Sequence, residues 1–407
     1  MSYFKVFGGK RLCGEIEPSG SKNASLPIIF ASLATCGISE LKNVPDIGDV
    51  RVAIKIIESF GAKVKRAGNT LCIDTRNVFY TMPDKALTSS IRASSYLIGS
   101  CVARFGVFHL SEFGGCNFCN RPIDMHLFAA ASLGAEISSC EISAIRLAGA
   151  KIYFDKPSVG ATINALIMAL SACGESEIFG AAKEPHVKAL VDYLISAGAD
   201  IEEIPFGYKI RKSELHGGTL EVLPDMIEAG TYMLLAPMTE GRITVRNAAK
   251  LELDSFFETI TDAGIGISIH GEDVTVYGEP QRPFLVTTAP HPGYPTDLQP
   301  QTAPLMSKYF GGIINENVWQ SRFSYLDSLG AFGVRYKTMS SRAEVYHSKL
   351  YPAETFAPDL RGGAAAVMCA LTARGESTIK NAEIILRGYS DFESKLRRLG
   401  ANVLYKE

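Results

Sequence analysis

Apolar positions along this chain fall into two kinds of segment, and the alternation between them recurs six times. One kind is apolar nearly all round: SKNASLPIIFASLATCG, SSIRASSYLIGSCVARFG, SVGATINALIMALSACG, DMIEAGTYMLLAPMTEG, TDLQPQTAPLMSKYFGG and DLRGGAAAVMCALTARG. A helix without a polar face has no side to turn to water, so each predicts a buried helix. The other kind is amphipathic, as in RGYSDFESKLRRLGA, and predicts a helix lying outside the first. Each amphipathic helix runs into glycine and then a short strand: FGAKV, LGAEI, AGADI, AGIGI, LGAFGV and LGANV. Gly61, Gly134, Gly198, Gly264, Gly330 and Gly400 therefore recur about every 70 residues, each placed to end a helix in a left-handed cap. Between the two helices lie β-rich pieces such as ISELKNV, SEIFGAA, RITVRNA and STIKNAE.

Each unit is then two helices and three or four strands, and three units make a domain of roughly 200 residues. The middle of the chain, around Leu220–Pro224, divides the six units into two threes. This predicts an α/β fold of two similar lobes, residues 21–225 and residues 1–20 plus 226–407, with helices inside, sheets outside and a cleft between. The first strand, YFKVFGG, precedes the first unit and is expected to pair in the C-terminal half. A solenoid fits less well, because no atypical capping units flank the repeats.

Composition narrows the function. Of 407 residues, 46% are hydrophobic and 21% charged, and Lys+Arg 41 against Asp+Glu 43 leaves a net charge of -2. That balance gives no basic footprint for nucleic acid. Apolar runs such as ALIMALSA are too short to span a bilayer, so no membrane association is expected. The N-terminus has neither an apolar signal core nor an Arg/Ser-rich pattern, so a cytoplasmic address is expected. Cys36, Cys101, Cys173 and Cys369 lie in apolar runs and are expected to be buried thiols. Cys116 and Cys119 sit in the polar, Gly-rich stretch SEFGGCNFCNRPID, but no second ligand pair completes a zinc site, so no metal and no cofactor are expected.

Polar and charged residues stand at the starts of the apolar helices. These carry Ser21-Lys22-Asn23, Arg92, Ser158, Asp297 and Asp359 with Arg361; the loops before the outer helices carry Cys116, Arg121–Asp124, Glu184, Arg322 and Arg387. Lys22, Arg92, Arg121, Arg322, Arg361 and Arg387 put six cations at helix starts, where the backbone dipole already favours anions. Either neighbouring carboxylates pair with them, or their partner is a polyanionic substrate. Six at repeat-equivalent positions favour the substrate, and Arg suits both phosphate and carboxylate through its planar fork.

At these residues the sequence resembles the UDP-N-acetylglucosamine enolpyruvyl transferase family. The matching stretches are GSKNASLP, IRAS, GGCNFCNRPID, KPSVGAT, LPDMIEAGT, YPTDLQPQ, DLR and RGY, in the family's order along the whole chain. The resemblance implies a two-lobed inside-out α/β barrel. It implies transfer of the enolpyruvyl group of phosphoenolpyruvate (PEP) to the 3-hydroxyl of UDP-N-acetylglucosamine with release of phosphate, the first committed step of peptidoglycan precursor synthesis. Cys116 corresponds to the family's loop cysteine, implying a general acid at C3 of PEP, and Asp297 to its acceptor-side carboxylate, which can also be read as a helix N-cap. Lys22, Arg121 and Arg387 correspond to the cations at the PEP phosphate, and Arg322 and Arg361 to those at its carboxylate. Asn23 corresponds to a contact with the sugar and the tetrahedral intermediate. Arg92, Arg121, Pro122, Ile123, Asp124, Met125, Lys156, Ser158, Val159 and Gly160 correspond to the UDP-sugar subsite, and Val318 to a backbone contact there. Met226, Gln320, Ile384, Leu386 and Cys119 depart from the family pattern. Two other readings are transfer to another uridine nucleotide and an inactive sugar-nucleotide-binding paralogue. The resemblance further implies that fosfomycin alkylates Cys116 and spares Cys119, faster with UDP-N-acetylglucosamine present. Peptide mass mapping over Gly114–Arg121 checks this, and an adduct on Cys119 would refute the assignment.

Overall fold

A computed structural model describes residues 2–110, 113–114 and 122–407. The chain forms two compact units. One spans Gly20 to Leu223; the other joins the N-terminal stretch through Ser19 to Pro224–Glu407.

In the first unit the apolar helices Lys22–Ala31, Leu97–Phe105 and Val159–Ala169 form the core, with Leu97–Phe105 packed against both others. Every residue from Ala161 to Ala169 is buried, as a helix without a polar face requires. The amphipathic helices Gly48–Ser59 and Pro185–Ser196 pack on their outer sides, and so does Asp124–Ser132, whose apolar residues, contrary to expectation, are not confined to one face. The second unit repeats the plan with Met226–Met238, Gln299–Lys308 and Leu360–Thr372 packed mutually at the core. Among the described residues no helix is long and apolar enough to cross a membrane.

Among the described residues each unit carries three sheets. Five of the six share one pattern, seen in the run Phe284–Thr287, Gly312–Asn315, Arg342–Tyr346, Arg335–Met339: a parallel edge pair, then two antiparallel neighbours. The sheet of Val107–His109, Glu141–Ser143 and Glu136–Ile137 has only the antiparallel part among the described residues. Tyr3–Gly8 lies between Gly375–Lys380 and Asn402–Lys406, so the N-terminal strand is built into a sheet of the C-terminal half.

Where the chain passes between units it leaves a strand behind. Cys13–Ile16 leads into the helix Lys22–Ala31 but pairs with Arg242–Val245 of the second unit; Thr219–Glu221 leads into Met226–Met238 but pairs with Ile38–Lys42 of the first. The two passing segments are fixed at both sides: Asp225 N donates to Ser19 O at 2.7 Å, and Ser21 N to Leu223 O at 2.7 Å. Gly20 is required between them, because a Cβ there would lie 1.6 Å from the Asn43 carbonyl oxygen. Buried Glu228 accepts from Ser19 N at 3.0 Å and from Lys395, whose ammonium also bonds Ser19 Oγ at 2.6 Å.

Three local expectations need correction. Cys101 and Cys369 are buried, but Cys36 is exposed and Cys173 partly so. The apolar helices end before both, at the turn Ser32–Ala34 and at Ala169, and Cys173 Sγ accepts from Arg146 Nε at 3.0 Å. In the fifth repeat the left-handed glycine is not Gly330, which closes the helix Tyr325–Gly330, but Gly333 at φ 91°. The other five repeat glycines all have positive φ.

Gly330→Ala is therefore expected to be neutral or stabilising by up to about 1 kcal/mol. Gly333→Ala should cost about 1–2 kcal/mol, since its Cβ must sit at positive φ and 3.0 Å from the Lys349 carbonyl oxygen. Denaturant unfolding of the two variants checks the assignment.

Candidate active site

In the first unit, three candidate groups stand at or beside helix starts. Ser21 caps the helix Lys22–Ala31, its Oγ accepting from Ala24 N at 3.3 Å. Lys22 Nζ lies 2.7 Å from Asp49 Oδ2, with side chains only 12% and 6% exposed. Asn23 beside it is half-buried. Arg92 Nη2 donates to Pro122 O at 3.5 Å, which ties the start of one core helix to the Pro122–Met125 stretch. Ile123 and Met125 there are half-buried, while Pro122 and Asp124 are exposed. Ser158 Oγ accepts from Ala161 N at 3.4 Å and caps Val159–Ala169, with exposed Lys156 two residues before it. The free N–H groups of such a helix start suit an anion.

His126, absent from the sequence-based set, packs against this helix start. A Cβ at Gly160 would meet its Cε1 at 2.7 Å and Nε2 at 2.8 Å, so a glycine is needed opposite the ring. Asn164 Oδ1 accepts from Gly99 N at 2.8 Å, and its Nδ2 donates to Ser95 O at 3.0 Å and His126 Nδ1 at 2.6 Å. That network assigns the proton of a neutral imidazole to Nε2. Burial, helped by the charge of Arg92, pushes the His126 pKa down to about 4. Its only sequence signal was its place directly after Met125.

The second unit brings Asp297, Arg322 and Arg361 together. Arg322 Nη1 donates to Asp297 Oδ1 at 2.8 Å, and Arg361 Nη2 to Asp297 Oδ2 at 3.4 Å. The carboxylate is 31% exposed while the two guanidiniums are 4% and 3% exposed, so an accessible carboxylate sits on a buried cationic floor. Burial opposes both charges, but Asp297 raises the Arg322 pKa, and Tyr389, Asp297 and Asp225 hold Arg361 above its ordinary value. Arg361 lies 5.2 Å from the Tyr389 ring centroid, and its Nε and Nη1 have no hydrogen-bond partner among the described residues. Buried charged donors of this kind favour an anionic acceptor. Asp359 Oδ1 caps the same helix, accepting from Arg361 N at 2.8 Å and Gly362 N at 3.0 Å.

Several expectations change here. Asp297 is no N-cap: the helix Gln299–Lys308 has Leu298 at that position and no side-chain cap. Lys22, Arg322 and Arg361 do have carboxylate partners, so these three cations are not left unbalanced. The Val318 N–H is held by Glu316 Oε1 at 2.9 Å, which leaves its carbonyl for any ligand. Arg387 ends the 3₁₀ helix Ala382–Arg387 and is half-buried. Met226, Ile384 and Leu386 pack against the apolar core, and Gln320 is exposed. Cys116, Cys119 and Arg121 lie outside the described residues.

The sequence family described as EPSP synthase (3-phosphoshikimate 1-carboxyvinyltransferase) matches residues 6–396. The chain belongs to this family of enolpyruvyl transferases. It is 38% identical over 413 residues to a UDP-N-acetylglucosamine 1-carboxyvinyltransferase of Halothermothrix orenii, covering 99% of both chains. It is 36% identical over 417 residues to one from Clostridium botulinum, covering 99% of this chain and 100% of that one. The mixed α/β fold matches the enolpyruvyl transferase NikO of Streptomyces tendae with a TM-score of 0.89 at 24% identity, over 100% and 99% of the two chains.

The buried imidazole gives a pH prediction. With its pKa at about 4 against about 6.5 when unfolded, the unfolded state takes up the proton first as pH falls. Stability from this group is complete above about pH 6.5 and is lost down to about pH 4, by on the order of 3 kcal/mol. His126→Gln should flatten the stability profile over that window by a comparable amount, as read from urea midpoints at stepped pH.

Proposed function

We propose that this enolpyruvyl transferase moves the enolpyruvyl group of PEP to the 3-hydroxyl of UDP-N-acetylglucosamine and releases phosphate. The observation that carries the reading is full-length likeness to UDP-N-acetylglucosamine 1-carboxyvinyltransferases. The chemistry of the candidate residues supports it. Cys116 protonates C3 of PEP, and C2 becomes oxocarbenium-like. The sugar 3-oxygen adds to C2 while Asp297 takes its proton. The tetrahedral ketal then loses phosphate from C2 and a proton from C3, restoring the double bond. Lys22, Arg121 and Arg387 hold the phosphate; Arg322 and Arg361 hold the carboxylate, where the unpartnered donors of Arg361 suit a planar anion. Asn23 holds the sugar and the intermediate. Arg92, Arg121, Pro122, Ile123, Asp124, Met125, Lys156, Ser158, Val159 and Gly160 hold the UDP-sugar, the last three as a pyrophosphate cradle, and Val318 contributes through its carbonyl.

On the same reading each unit is an inside-out α/β barrel, for which the buried helix trios are the support. The first unit holds the UDP-sugar subsite and Cys loop, the second Asp297 and the carboxylate arginines. The reaction opens peptidoglycan precursor synthesis in the cytoplasm, on which cell shape and division depend, and fosfomycin blocks it at Cys116.

Phosphate release from PEP tests the proposal. Release that requires UDP-N-acetylglucosamine is expected, and Asp297→Asn should lower turnover by on the order of a hundredfold while sugar-nucleotide binding persists. Release with a different acceptor only, or none at all, would overturn the assignment.

A further inference from the structure

Glu316 is fully buried and has no role in the reaction as written, yet its carboxylate is among the most heavily bonded side chains in the second unit. Oε1 accepts from Thr288 Oγ1 at 2.8 Å and from the backbone N–H groups of Val318 and Trp319, both at 2.9 Å. Oε2 accepts from Thr296 Oγ1 at 2.9 Å. Thr296 has one hydroxyl hydrogen, and it is donated to Glu316 Oε2. The hydroxyl oxygen is thereby left as an acceptor, and Arg322 Nη1 donates to it at 3.0 Å. The same Nη1 donates its other hydrogen to Asp297 Oδ1 at 2.8 Å. One guanidinium nitrogen is thus held by two adjacent residues, and the Thr296 hydroxyl between it and Glu316 is oriented from both sides.

We propose that Glu316 is a positioning residue for the Asp297 carboxylate, acting through the Thr296 hydroxyl and the Arg322 guanidinium. The proposal rests on Asp297 being the acceptor-side base. Glu316 does a second thing at the other oxygen. By taking the Val318 and Trp319 N–H groups it shapes the turn that leads to Arg322, whose carbonyl accepts from Gln299 Nε2 at 3.3 Å. Backbone and side chain of Arg322 are therefore both held by hydrogen bonds, while the Asp297 carboxylate is 31% exposed.

Two substitutions at Thr296 separate this role from plain packing. Valine keeps the volume and branching of threonine and removes the hydroxyl; serine keeps the hydroxyl and removes the methyl. If the site is held by hydrogen-bond polarity, Thr296→Val should lower kcat at least tenfold with the KM for UDP-N-acetylglucosamine within a few-fold, and Thr296→Ser should stay within a few-fold of wild type. If Thr296 only fills space, the order reverses. Glu316→Gln should resemble Thr296→Val. Three donors surround Oε1, so the amide oxygen takes that place and the amide N–H₂ faces Thr296, reversing the hydroxyl and turning its hydrogen toward Arg322. Should Glu316→Gln not fold, the Thr296 pair still decides.

A readout without turnover keeps the test separate from the identity of the acceptor. Phenylglyoxal modifies accessible guanidiniums, and Arg322 is 4% exposed. Peptide mapping should show severalfold faster labelling of Arg322 in Thr296→Val than in wild type or Thr296→Ser. Equal labelling in all three, or a valine variant as active as wild type, overturns the proposal. Wild-type protein that releases no phosphate with UDP-N-acetylglucosamine but shows the labelling difference would instead leave the relay standing and remove the acceptor assignment.

Discussion

A helix that is apolar all round can offer polar chemistry only at its ends, and six such helices form the two cores of this protein. At an N-terminal end the first N–H groups have no partner within the helix, so polar side chains are needed there in any case. Ser21, Ser158, Asp225 and Asp359 meet that need by capping. Lys22 and Arg361 then stand one or two residues further on, carried by the same turns. The candidate chemistry is thus concentrated at helix starts because the rest of each core helix is largely buried.

Cations at helix starts oppose the helix dipole and, when buried, lose hydration. Each unit answers with a carboxylate from a neighbouring element: Asp49 for Lys22, and Asp297 for both Arg322 and Arg361. The sharing at Asp297 matters for function. One carboxylate serves two guanidiniums, and Arg361 keeps donors that it does not occupy. Both guanidiniums are buried, so leaving them without that carboxylate is costly, and the arginines are held in place before any substrate binds. Preorganised donors of this sort stabilise charge that develops during reaction without first having to turn.

The passages between the units obey the same economy of polar groups. Ser19 is bonded through its N–H, carbonyl and hydroxyl, to Glu228, Asp225 and Lys395 respectively. Burial pushes the Glu228 pKa up, and Lys395 draws it back. Lys22, three residues after Ser19, follows directly from this fixed point.

The apolar pattern and glycine recurrence were enough to read the six units, their buried and outer helices, and the N-terminal strand's partner, because those depend on periodicity within a segment. Sequence alone also picked Lys22, Asp297, Arg322 and Arg361 as polar interruptions of apolar or repeated runs. It misassigned Gly330 because LGAFGV offers two glycines, and only the extra turn after the helix Tyr325–Gly330 selects Gly333. It misjudged Cys36 and Cys173 because helix ends, not composition, decide burial there. Asp49, His126, Thr296 and Glu316 stayed hidden for a common reason. Each acts on a residue brought close by packing or by a distant strand: Asp49 on Lys22, His126 on Gly160, Thr296 on Arg322 and Glu316 on Thr296. A sequence states which side chains exist and which face of an element they occupy; which donor meets which acceptor is a matter of distances that only the packed elements set.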